Sequence, residues 1–118
     1  MGLTEVQSDR LVVVEVLADR ELLDPDGGTR LARSVTERVP AGEDAPAGMP
    51  VVLDFTGTGT IASSFANAFF LELARHRPLA DWPRLLDLRG LGSRQRLTLT
   101  SSLTAIRREL AAGGLTSR

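Results

Sequence analysis

The chain lacks cysteine, which excludes disulfides, thiolate nucleophiles and cysteine-ligated metals. Its one histidine, His76, excludes a multi-histidine metal site within one chain. Lysine is missing too. All 14 basic residues are arginine, which reads as a genomic compositional bias. Aromatic residues make up 4% of a chain that is 42% hydrophobic, so aliphatic side chains must do most of the packing. No apolar run is long enough to span a bilayer. Residues 1–10 carry no signal-peptide pattern, and Val6 stands where a myristoylation motif needs Ser or Thr. The expectation is a cytoplasmic protein without cofactor or metal.

The net charge of −1 argues against general affinity for nucleic acid. Its distribution is uneven. Residues 1–74 hold 5 Arg and 12 acids, whereas residues 75–118 hold 9 Arg and 3 acids. Arg94, Arg96, Arg107 and Arg108 have no aromatic residue interleaved with them. They read as a solvated helix face rather than a phosphate-binding stripe.

The length of 118 residues fits one domain, with a core over about 11–112 and frayed ends at 1–10 and 113–118. Leu11 to Val16 reads as a buried strand. Asp24 to Gly28 reads as a turn. A helix is expected from about Thr29, with Leu31, Val35 and Val39 on one face, to Pro40. Ala41 to Pro50 reads as a loop and the best candidate for a mobile segment. Met49 to Phe55 is the second strand, and Ser63 and Ser64 open the second helix. Arg84 to Leu88 is a short third strand. A last helix runs from about Ser93 to Ala112 and ends at Gly113-Gly114. The order is β-α-β-α-β-α. It predicts a small α/β domain with a largely parallel or mixed sheet of three or four strands and helices mainly on one face.

The most informative stretch runs from Val51 to Phe65. An apolar strand ends at Asp54-Phe55. A loop, Thr56-Gly57-Thr58-Gly59-Thr60, follows, and then the two serines. The hydroxyls meet the free amides and positive dipole end of a helix, where they serve as caps or a modification site and where an anion is at home. Asp54 is expected to bond loop amides or to meet a partner. Gly57, Gly59 and Ala62 match a dinucleotide fingerprint formally, but the chain is too short for a two-half nucleotide fold and lacks the acid expected after the next strand. No base lies near the serines in sequence, so nothing suggests an enzyme.

Asp54-Phe55, followed at this distance by Ser63-Ser64-Phe65-Ala66, resembles the STAS-like domain family of unknown function, a relative of the STAS domains of bacterial anti-sigma-factor antagonists. Gly28-Thr29-Arg30 resembles the Gly-x-Arg element at the start of that family's first helix. The resemblance implies a regulatory, non-catalytic protein-interaction module. In the antagonists a serine at this helix start is phosphorylated by a histidine-kinase-like ATPase, and only the unmodified form binds that partner. Carried over by position, the serine is Ser64, with Ser63 beside it. Ala62 and Phe65 depart from the antagonists, which have Asp and Gly there, and fit the STAS-like pattern instead. The working surface would be Asp54, Thr58, Gly59, Thr60 and the serines, with Gly28, Arg30, Phe55 and Phe65 as family positions. The partner would be such a kinase, an anti-sigma-type regulator or a second copy of the chain, with no role for membrane and none expected for nucleic acid. The alternative is a small nucleotide- or anion-binding module using the same loop.

Overall fold

The computed structural model describes residues 10–40 and 50–114. Three strands form one parallel sheet in the order β1-β2-β3: β1 is Arg10–Val12, β2 is Val51–Asp54 and β3 is Leu86–Arg89. The helices are α1 (Val13–Leu17), α2 (Pro25–Thr36), α3 (Ser63–His76), α4 (Trp82–Leu85) and α5 (Ser93–Glu109). A 3₁₀ turn, Leu79–Asp81, leads into α4, and a π turn, Leu110–Gly114, closes α5. The expected α/β class and parallel sheet are both present.

Strand order that never reverses has a consequence. Right-handed crossovers then place successive helices on the same face of the sheet. Leu11, Val51 and Leu53 point to that face and join a core with Leu31, Val35, Phe65, Phe69 and Leu73. Register places Arg10, Val12, Val52, Asp54, Asp87 and Arg89 on the other face. Of these six only Val52 is a buried apolar side chain, and it stands apart from the contiguous apolar cluster. With no reversal among the described residues, the strands described have no topological switch point, the usual crevice for nucleotides in open α/β folds.

Three expectations are corrected. The first strand stops at Val12, and Val13–Leu17 is helical. Val13 and Leu17 lie one helical turn apart and are both buried; a run that is apolar throughout has no periodicity to separate strand from helix. The second correction concerns α2. It starts at Pro25, not Thr29, because Asp24 caps it by accepting the Asp26 amide at 3.3 Å and Pro25 fits the first turn. It ends at Thr36, although Val39 is still buried. Third, Arg84 and Leu85 belong to α4, and the strand begins at Leu86. The loop over residues 41–49, including Met49, lies outside the described residues, as do the ends at 1–9 and 115–118.

Trp82 fills a gap between elements and is 4% exposed. Its Nε1 donates to the carbonyls of Leu73 at 3.2 Å and Arg77 at 3.3 Å. The Arg77 side chain is buried against Asp81 at 3.2 Å and donates to the Pro40 carbonyl at 3.0 Å. The His76 ring bonds the Val39 carbonyl, so it fastens the end of α3 to the end of the α2 segment. Among the described residues no helix is long and apolar enough to cross a membrane.

Candidate functional site

At the C-terminal end of β2 the chain turns sharply. The Thr58 amide donates to the Phe55 carbonyl at 3.0 Å, and Gly57 has φ +85°, which a turn of this kind requires at its third position. The Thr58 hydroxyl donates to the same carbonyl at 2.6 Å. Beyond the turn, residues 59–62 run alongside residues 20–22. Gly59 N–H donates to Arg20 at 2.8 Å, Leu22 N–H to Thr60 at 2.9 Å and Ala62 N–H to Leu22 at 2.8 Å. The Thr60 amide donates to the Glu21 carboxylate at 3.1 Å.

The amides of Thr56, Thr58, Gly59, Thr60 and Ala62 are therefore all occupied by the protein itself. A Cβ on Gly59 would lie 2.3 Å from a Glu21 carboxylate oxygen. The loop thus presents a carboxylate where an anion-binding loop presents free N–H groups.

Gln95 completes this assembly. Its Oε1 accepts the Gly92 amide at 2.8 Å, the reach-back half of a capping box at the start of α5. Its Nε2 donates to the Thr58 hydroxyl at 2.8 Å and to the Gly59 carbonyl. One side chain thereby ties the start of α5 to the loop before α3. Sequence reasoning missed Gln95, although its position three residues after Gly92, at a helix start, is a readable capping signal. Glu21 and Arg10 were also missed, and their partners lie 39 and 44 residues away, so no local pattern betrays them.

Asp54 bonds a loop amide, one of the two roles expected of it. It is 7% exposed and accepts the Thr56 amide at 2.9 Å, and Arg10 of β1 pairs with its other oxygen. The Thr56 hydroxyl, then the Thr56 amide and Arg10, stabilise its charge against the opposing effect of burial and hold its pKa at about 2, below the ordinary 3.8. A lowered carboxylate stabilises the fold above its unfolded pKa, and that contribution is lost as pH falls through the folded value. Asp54→Asn should therefore cost about 1–2 kcal/mol at pH 7, discounted because Arg10 is solvent-screened. Urea unfolding of both proteins at several pH values checks this. The gap should shrink between about pH 4 and pH 2, and a gap constant across that range would remove the assignment.

Ser63 and Ser64 form the exposed first turn of α3. Neither hydroxyl caps the helix. Ala62 occupies the N-cap position and makes no side-chain cap bond. The Ser64 hydroxyl instead donates across to the Leu23 carbonyl at 3.2 Å. The next residues, Phe65 and Ala66, are buried at 2% and 0% exposure, so the tip is anchored from beneath. Phe55 is also core, at 2%. Thr58, Gly59 and Thr60 share the loop before α3, and Asp54 turns to Arg10 and Thr56 rather than to the serines.

Gly28 lies within the first helix that the Gly-x-Arg element was expected to open, on the face of α2 that meets α3. Arg30 is exposed beside a small cleft shared with Asp19, Glu21, Asp24 and Phe65.

Residues 40–94, which contain β2, the loop, α3, α4 and β3, match the family model described as the STAS-like domain of unknown function (DUF4325). Over that stretch the chain is similar to the STAS-like domain family. The match includes Asp54-Phe55 and Ser63-Ser64-Phe65-Ala66, while Gly28 and Arg30 lie outside it. No curated protein matches the chain, and no solved structure does. The matched stretch is the part whose loop is locked by Glu21, Leu22 and Gln95, all three supplied from outside the match.

Proposed function

We propose that this STAS-like domain is a non-catalytic regulatory module of a partner-switching system, modified at Ser64, with Ser63 beside it. The partner is a histidine-kinase-like ATPase that acts as a serine kinase, or an anti-sigma-type regulator, in the cytoplasm. The observation that carries this reading is the exposure of both hydroxyls on a helix tip whose next two residues are locked into the core. A kinase can reach such a hydroxyl without unfolding anything.

The chemistry of the switch follows from the neighbours. Unmodified Ser64 donates its proton to the Leu23 carbonyl. A phosphate ester has no such proton, so that carbonyl loses its partner. The ester also adds nearly two negative charges, roughly. They fall beside Leu23-Asp24, and Asp24 is already the acidic cap of α2. The dipole of α3 favours the phosphate, so the fold survives while the surface becomes more negative. A partner docked on the tip loses both fit and charge match.

The test is affinity capture from the native host with wild-type, Ser64→Ala and Ser64→Glu baits. Wild type and Ser64→Ala should retain the same ATPase or regulator, and Ser64→Glu should lose it. Equal retention by all three baits, or no protein partner under any condition, would count against the proposal.

A further inference from the structure

The sheet ends at β3 in an open edge. Among the described residues no strand pairs with its outer side. Such an edge leaves a row of backbone donors and acceptors available to another strand. The Arg89 carbonyl accepts the Phe55 amide at 2.8 Å, so Arg89 turns its backbone groups towards β2. Strand alternation turns those of Asp87 the same way and those of Leu86 and Leu88 outward.

The two sides of this edge differ. On the core side an apolar cavity of about 160 Å³ is walled by Phe70, Trp82, Leu86, Leu88, Leu99 and Leu103. Leu86, Leu88 and Leu103 are only partly buried. On the other side Arg89 and Asp87 bond each other at 2.8 Å, and both reach solvent.

We propose that β3 pairs antiparallel with β3 of a second copy of the chain, about a two-fold axis at Leu88. A two-fold axis through a sheet must be centred on one residue, and charge selects which one. Centred on Asp87, two carboxylates face each other. Centred on Arg89, two guanidinium groups do. Centred on Leu88, Asp87 of each copy faces Arg89 of the other, twice. The same register sets the outward backbone groups of Leu88 opposite one another as a hydrogen-bonded pair. The charged pairs then take the closer, non-hydrogen-bonded spacing. Leu88 meets Leu88 on the core side, and the two apolar cavities join. The sequence Asp-Leu-Arg is thus self-complementary at the edge that needs covering.

Because the chain has no cysteine, Leu88→Cys is a single-cysteine protein. A hydrogen-bonded antiparallel pair sets its Cα atoms about 5.5 Å apart, within disulfide range. Mild oxidation should cross-link Leu88→Cys into a dimer and leave a Thr104→Cys control, exposed on α5, uncrosslinked. In sedimentation equilibrium up to about 0.3 mM, chosen because small interfaces are weak, the wild-type chain should approach twice its 12.7 kDa mass. Arg89→Asp should return it to monomer. Asp87→Arg combined with Arg89→Asp should restore the dimer. A wild-type monomer at every concentration, a dimer indifferent to Arg89→Asp, or equal cross-linking of both cysteine variants would each overturn the proposal.

Discussion

Gly28→Ala should lower the unfolding free energy of this domain by about 3 kcal/mol or more, while Gly27→Ala, one residue earlier, stays within about 1 kcal/mol of wild type. Both glycines lie inside α2, where alanine is the better helix former. Helix propensity alone therefore predicts a gain at both positions. Packing separates them. A Cβ on Gly28 would stand 2.1 Å from the Phe65 carbonyl oxygen and 3.1 Å from the Phe69 nitrogen. Those atoms belong to the backbone of α3 and cannot rotate away. The two helices would have to separate along their whole contact, which is the main helix-to-helix seam over the sheet. A Cβ on Gly27 meets side chains alone, the edge of the Phe65 ring at 3.2 Å and a Leu17 methyl at 4.0 Å, and a ring can tilt. Denaturant midpoints of the two variants, read with their slopes, decide the matter. If the two alanines shift stability equally, close helix approach is not what Gly28 supplies.

The same position shows what a sequence can reveal. Gly28 was singled out by resemblance, as part of Gly-x-Arg, with no physical reason attached. The reason is three-dimensional: α3 approaches α2 there, and nothing in the local pattern encodes the neighbour. The strand-loop-helix unit over residues 51–73 was legible because each piece carries its own signal. It has an apolar run, then a Thr/Gly turn, then aromatic and aliphatic positions at helical spacing. The bend after Val12 was not legible, because five apolar residues in six look alike in either conformation. The serines were correctly placed on a helix start, yet their hydroxyls do not cap it. Composition favours serine as a cap, but here the backbone enters through Ala62 and the Ser64 hydroxyl finds Leu23 instead. The anion-loop pattern was legible too, and misleading for the same reason. Glu21, Arg20 and Leu22 occupy its amides from a segment about forty residues away in sequence, well beyond the window of about 11–18 residues that a local pattern spans.

Gly90→Ala is expected to cost about 2–4 kcal/mol, combining a left-handed backbone penalty with overpacking. Gly90 has φ +76°, which L side chains rarely adopt. Its missing Cβ matters as much as its φ. A methyl group there would lie 2.5 Å from the Thr56 hydroxyl oxygen, 2.6 Å from the Thr56 nitrogen and 3.0 Å from an Asp54 oxygen. These are the atoms that hold the Asp54 charge. The substitution should therefore do more than destabilise. By pushing Thr56 away it should remove the strongest support of the Asp54 carboxylate, so its pKa should rise from about 2 towards 3.8. Carboxylate titration by NMR measures this directly, and the stability of Gly90→Ala should depend less on pH between about 4 and 2 than that of wild type. Gly57→Ala provides the contrast. Gly57 also has a positive φ, +85°, but nothing lies within 4 Å of its would-be Cβ. It should show a strain penalty of about 1–2 kcal/mol and leave Asp54 untouched. An Asp54 pKa unmoved in Gly90→Ala would mean that Thr56 is held by the turn at Gly57 alone, and that the β3 loop contributes nothing to the electrostatics at the end of β2.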